Sequence, residues 1–226
     1  MVWSSSHCIC LPLPATMAVS DNMNVEPFDS NYIQELVSWV RPLWTMVDWK
    51  RSVSAVDGEK SLSTVDLDVE FIVRHNIFHN EFALQLVEGE RVLAVAFAAR
   101  KNEENDALQW LAERVQVLTE EEVAGMRQVV DYLEDMDRRT CRHMGDGDIR
   151  LTLFASGSPG GGGLILAELE ERLRRCGFTS LYLWTDSDCT HQWYPRHGFE
   201  LVEEARNEAF STPQRDFLTY IFRKEL

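Results

Sequence analysis

The spacing of apolar positions changes several times along the chain, and each change marks an element. A short run, Val25 to Phe28, predicts a strand. It is followed by Asp29 or Ser30 as the N-cap of a helix in which Ile33, Leu36, Val37, Val40 and Trp44 recur at three- and four-residue steps. Pro42 predicts a kink or break in that helix, because proline lacks the N–H and crowds the preceding turn. Lys50 to Thr64 is polar, contains Asp57-Gly58 and reads as a loop, whereas Val65 to His75 fits a short helix and a strand equally well. Glu81 to Val87 and Arg91 to Ala99 are strand-like runs separated by Glu88-Gly89-Glu90, which predicts a β-hairpin.

From Asp106 to Met144 the period becomes helical. Leu108, Leu111 and Val115 mark one piece, and Thr119 before three glutamates is the N-cap of a second that carries Val123, Met126, Val130 and Leu133. The segment 106–144 therefore reads as a helical insertion between strands. Gly145-Asp146-Gly147 ends it, and Ile149 to Ala155 is a further strand. Ser156-Gly157-Ser158-Pro159-Gly160-Gly161-Gly162-Gly163 follows, and Leu164 opens an amphipathic helix with Ile165, Leu166, Leu169, Leu173 and Cys176 on one face and Gly177 at its end. Leu181 to Thr185 is a strand, Asp186 to His191 leads into a short helix, and Asp216 to Arg223 is a final strand. This order predicts an α/β fold with a mixed, mostly antiparallel sheet flanked by helices and no internal repeat.

Charge and cysteine usage narrow the classes of function. Lys and Arg total 22 against 37 Asp and Glu, a formal charge of -15, and such a surface repels phosphate backbones and anionic lipid. Neither nucleic acid nor membrane is expected as a partner, while a cationic acceptor such as an amine suits the charge. No apolar run approaches the roughly 18 residues of a membrane span. Five cysteines, an odd number with no zinc-like pair of pairs, point to a reducing, cytoplasmic setting. The apolar stretch Cys8 to Ala15 is broken by Pro12 and Pro14 and preceded by no Lys or Arg, unlike a signal peptide. With Met17 and Met23 close behind, residues 1–23 read as a disordered leader and residues 24–226 as a single domain.

The chemistry is concentrated in one place. A strand that runs into a Gly-rich turn at a helix N-terminus is suited to an anion, because backbone N–H groups approach unobstructed and the helix dipole favours negative charge. The helix is polarised to match, with Glu168, Glu170 and Glu171 early and Arg172, Arg174 and Arg175 late. A P-loop would need Gly-Lys-Ser/Thr at the helix start, but Leu164 and Ile165 follow Gly163, and a dinucleotide fold would place the unit at the start of its βαβ.

Downstream stands Tyr194-Pro195-Arg196-His197-Gly198-Phe199. Together with the loop, these residues resemble the GCN5-related N-acetyltransferases, whose signature is Gln/Arg-x-x-Gly-x-Gly/Ala, a helix, a strand and then Tyr-x-x-x-Gly-Phe. Gly160 and Gly162 fall on the loop glycines, and Tyr194, Gly198 and Phe199 on the second motif; Gly157 stands where the family carries Gln or Arg. The resemblance covers residues 149–226 and implies acetyl-CoA as co-substrate. Thr152, Leu153 and Phe154 would hydrogen-bond its pantetheine arm, and the amides of Ser158, Gly160, Gly161, Gly162 and Gly163 would hold its pyrophosphate. It further implies direct attack of a primary amine on the thioester, with Tyr194 protonating the departing thiolate and Glu81, Asp186 or a water chain receiving the amine proton. The insertion would wall the acceptor pocket or serve a homodimer contact. His75 and His79 lie four apart with no third ligand, so no metal is expected. Two other readings remain: an acyl-CoA-binding sensor that does not transfer, and an interaction protein on the same fold.

Overall fold

The computed structural model describes residues 8–10, 22–44 and 62–226. Its hub is the hairpin expected from the sequence: β3 (Ala83–Glu88) and β4 (Arg91–Arg100) pair antiparallel, with Gly89 supplying the positive φ of the turn. Around it, β1 (Cys8–Cys10), β2 (Met23–Pro27), β5 (Asp148–Ser156), β6 (Ser180–Asp186), β7 (Glu200–Arg206) and β8 (Leu218–Glu225) complete one sheet. The order is β2-β3-β4-β5-β6-β8-β7, with β1 paired additionally to β5. All contacts are antiparallel except β5 with β6 and β1 with β5.

Both faces of the sheet are covered, which is why β3 to β6 read as nearly continuous apolar runs. One face packs on α5 (Gly161–Arg175) through Ile165, Leu166, Leu169 and Leu173, against Leu84, Leu86, Ala94, Ala96, Ile149 and Leu151. The other packs on α1 (Ile33–Trp44), α2 (Leu62–His75), α3 (Ala107–Ala112) and α4 (Glu120–His143), against Val95, Phe97, Leu153 and Ala155. A four-residue helix, α6 (Trp193–Arg196), follows β6.

The structure sharpens several expectations. The ambiguous Val65 to His75 is helix α2, whose buried Val69, Ile72 and Val73 keep helical spacing. α1 continues through Pro42 to Trp44 rather than breaking there. α5 begins at Gly161, not Leu164, so three glycines form its first turn; tertiary packing on β3 compensates their poor helix propensity. Of the polar stretch Lys50 to Thr64, residues 50–61 lie outside the described residues, as does most of the leader. The insertion is as read: α3, a 3-10 turn over Val115–Val117, and α4, joined between β4 and β5. Its long helix opens on a capping box, in which Thr119 N–H donates to Glu122 Oε2 (2.9 Å) and Glu122 N–H to Thr119 Oγ1 (3.3 Å).

Candidate active site

The site begins with a change of register in β5. Phe97 pairs with Leu153, but the next residue, Ala98, pairs with Leu151, so Thr152 is an extra residue in β5. Facing confirms it. Ile149 and Leu151 pack towards α5, and strict alternation would send Leu153 the same way, yet Leu153 and Ala155 pack towards the opposite helices. Thr152 Oγ1 donates to the carbonyl of Asn76, 2.7 Å away, and so ties the bulge to the end of α2.

Past the bulge β5 and β6 part. Their pairing covers only Asp148–Arg150 against Ser180–Tyr182, and from Leu151 onward the edge of β5 that faced β6 is released. β1 pairs in parallel with the far end of that edge, Cys8 to Phe154, Ile9 to Ala155 and Cys10 to Ser156.

At the end of β5 lies the glycine loop. Gly157 N–H donates to Leu93 O (3.0 Å), Ser156 Oγ to Ser158 O (3.0 Å), Gly161 N–H to Ser158 O (3.3 Å) and Leu164 N–H to Gly160 O (3.2 Å). Between the last two, the N–H groups of Gly162 and Gly163 belong to the first helical turn, where no intrahelical acceptor exists. Gly160, the N-cap, has φ +74, a conformation most side chains resist. A Cβ on Gly161 would stand 2.3 Å from Ser158 Oγ and 3.2 Å from Leu86 Cδ2, so the helix start sits against β3 only because that residue is glycine. Ser158 Oγ is buried and, among the described residues, has no hydrogen-bond partner. Helix-start amides with no intrahelical acceptor, beside an unpartnered hydroxyl, fit a phosphate group.

Two polar groups flank the gap, on opposite faces. On the α5 side Tyr194, in α6, is completely buried; its ring stacks on Phe222 (centroids 5.4 Å) and meets Phe199 and Trp193 edge-on, and Trp193 in turn packs on Phe154 of β5. On the α4 side Asp186, at the end of β6, is likewise buried. Its Oδ2 accepts from Tyr132 Oη of α4 (3.3 Å), and its Oδ1 from the Asp188 N–H (3.0 Å) and the Cys189 thiol (3.2 Å). Burial, with the nearby Asp186 charge, pushes the Tyr132 phenol far up, so it is a donor. Asp186 thus organises the turn after β6 and fastens the insertion to it.

Glu81 is not brought to this place. It is exposed and ion-paired to Arg100 (2.7 Å), beside Phe82 and Phe178. A backbone hydrogen bond and the guanidinium hold its carboxyl below the usual range. Arg100 pairs with Ile149 at the start of β5, roughly 10 Å along the strand from the Thr152 bulge and roughly 20 Å from the loop at its end. His75 is buried against Asp137, while His79 is exposed near Asp106 (3.7 Å). Among the described residues no cluster of His, Cys, Asp or Glu could hold a metal.

The sequence reading missed a buried polar network below the gap. Asp137 of α4 pairs with Arg150 of β5, accepts from Trp184 Nε1 of β6 (2.8 Å) and lies 3.3 Å from His75 Nε2, close enough for a charge contact although not aligned as a hydrogen bond. Burial works to raise its carboxyl, but the Arg150 charge and the His75 imidazole outweigh it and hold the pKa at about 2. The network grips the last β5–β6 pair, Arg150 with Tyr182.

No protein-family model and no curated protein sequence matches the chain. Solved structures do. Polyamine N-acetyltransferase of Drosophila melanogaster, an enzyme that forms N-acetylagmatine, is 12% identical over 90% of this chain and 100% of its own, with a TM-score of 0.54. Arylalkylamine N-acetyltransferase 2 from Aedes aegypti is 12% identical over 91% and 99%, also with a TM-score of 0.54. The C-terminal condensation domain of Ebony, in complex with beta-alanyl-dopamine, is 11% identical over 90% and 99%, with a TM-score of 0.56. The chain has the fold of the GCN5-related N-acetyltransferases, as its loop and Tyr-x-x-x-Gly-Phe motif led one to expect. Two of these neighbours are named N-acetyltransferases and one a condensation domain, so the choice of acyl donor rests on the site and not on the fold.

Proposed function

We propose that this protein is an N-acetyltransferase that moves the acetyl group of acetyl-CoA to a primary amine by direct attack. The observation that carries this reading is the continuity of β5: it leaves β6 at the Thr152 bulge and ends in the glycine turn that opens α5. An extended thioester arm laid along the released edge would have the backbone of Thr152 and Leu153 to pair with, and that of Phe154 once β1 yields it. Its diphosphate would meet the amides of Ser158 and Gly160 to Gly163, with Ser158 Oγ as a further donor.

In the reaction the amine lone pair attacks the thioester carbonyl carbon; the C–N bond forms, the C–S bond breaks, and the electron pair leaves on sulfur. The Tyr194 hydroxyl gives its proton to that thiolate, and the proton shed by the amine passes to water. Asp186, whose oxygens already accept three donors, and Glu81, held exposed in an ion pair with Arg100, are both less suited to take it than water is. Proximity within the gap supplies the larger share of the rate enhancement.

Titration calorimetry with acetyl-CoA and CoA tests the reading, alongside a Gly160→Glu variant. Saturable binding that the variant loses, followed by thiol release with a panel of primary amines, is the expected outcome. Absence of binding by the parent chain would sink it. A second reading, an interaction protein on the same fold that does not bind CoA, is favoured by one observation, the pairing of β1 with the β5 edge that the cofactor would need. A parent chain that binds neither CoA nor acetyl-CoA would select it.

A further inference from the structure

A cavity of about 250 Å³ opens between α1 and the start of β4, and its lining joins Tyr32, Glu35 and Ser38 to Arg91 and Gly157. The cavity therefore touches the glycine loop from the side away from α5. Gly157 is bonded to Leu93 O, which places the loop two residues along β4 from Arg91, about 7 Å and within the reach of an extended arginine. Arg91 is exposed, and among the described residues no carboxylate lies within ion-pair distance of it, Glu35 included. Arg100, Arg139, Arg172 and Arg206, in contrast, each hold a carboxylate.

The charge of the chain gives this residue its significance. CoA is a polyanion, the protein carries -15, and residues 156–163 contain neither Lys nor Arg. Helix-start amides alone would have to hold a diphosphate against a field of like sign. We propose that Arg91 supplies the cation of this site, reaching from the hairpin across the cavity mouth to a phosphate held at the start of α5. The inference rests on the acetyl-CoA reading above and adds to it a binding residue outside the loop.

The test is calorimetry on the full chain with CoA, for the parent, Arg91→Gln and Arg91→Lys, each at 0.1 M and 1 M NaCl. A charge-assisted contact is worth a Kd increase of about 10- to 100-fold in Arg91→Gln at low salt. Arg91→Lys should recover part of the loss. The gap between parent and Arg91→Gln should narrow at 1 M, where the screening length falls to about 3 Å; a packing role would not respond to salt. Because Arg91 lies exposed at a hairpin end, the variants should melt with the parent. Arg91→Gln binding CoA within twofold of the parent at low salt would overturn the proposal while leaving the acetyl-CoA reading intact. A parent chain that does not bind CoA refutes both, and the two failures are read from different arms.

Discussion

Replacing Asp137 with alanine should destabilise the protein more than almost any other single polar change. The side chain holds α4 to β5 and β6 through Arg150, Trp184 Nε1 and the His75 contact, and Arg150 is only 7% exposed. Without the carboxylate, a guanidinium remains in the interior with no counter-charge and an indole N–H loses its acceptor. Breaking a buried pair in this way costs about 3–5 kcal/mol, and for a chain of this size each kcal/mol moves Tm by about 2–4 °C. Urea unfolding followed by tryptophan fluorescence, with calorimetric melting as a second measure, should show a loss of that size. Asp137→Asn, which keeps an acceptor for Trp184 but not the charge, should fall between.

The same group gives a pH signature with a definite sign. Its carboxyl is depressed from 3.8 to about 2 in the folded state, so its contribution is complete above about pH 4 and vanishes as pH falls through 2. The parent should lose about 2 kcal/mol across that window, and Asp137→Asn should lack this component. An Asp137→Ala protein within about 1 kcal/mol of the parent would refute the view that the network locks the insertion to the sheet.

Tyr194→Phe preserves the buried ring and its stacking on Phe222, so folding and CoA affinity should be unchanged, while loss of the acidic proton should lower kcat by about 10²- to 10⁴-fold; full turnover would remove Tyr194 from the chemistry. Deleting residues 1–16 frees the β5 edge that β1 occupies from Phe154 to Ser156. The shortened chain should bind CoA more tightly by calorimetry, and an unchanged Kd would mean that strand and ligand do not compete.

What the sequence disclosed and what it concealed divide along local and distant causes. The hairpin at Gly89, the Thr119 cap and the loop running into α5 are written in neighbouring residues, and they were legible for that reason. The helical identity of Val65 to His75 was not, because its apolar residues satisfy both periods until α1, α3 and α4 pack against them. The bulge at Thr152 left no mark either. An extra residue in a strand buried on both faces does not interrupt an apolar run, and only the pairing with Phe97 and Ala98 exposes it. Asp137 sits in the run Glu134-Asp135-Met136-Asp137-Arg138-Arg139, which looks like a solvated face. The one available signal was its spacing four residues after Leu133, on the edge of the apolar seam formed by Met126, Val129, Leu133 and Met136. The ion pair that takes up Glu81 was not legible, because its partner Arg100 lies 19 residues on and only the β3–β4 hairpin brings the two together.

The opening between β5 and β6 is flanked on one face by Tyr194 and on the other by Asp186 with Tyr132 of the insertion. A donor laid along the β5 edge would leave the other side of this opening to the amine, so neither would have to vacate the protein before the other enters. Under the proposed reaction, both would be bound together before any bond changes and no acyl group would rest on the protein. Double-reciprocal rate plots at several fixed amine concentrations should then intersect rather than run parallel.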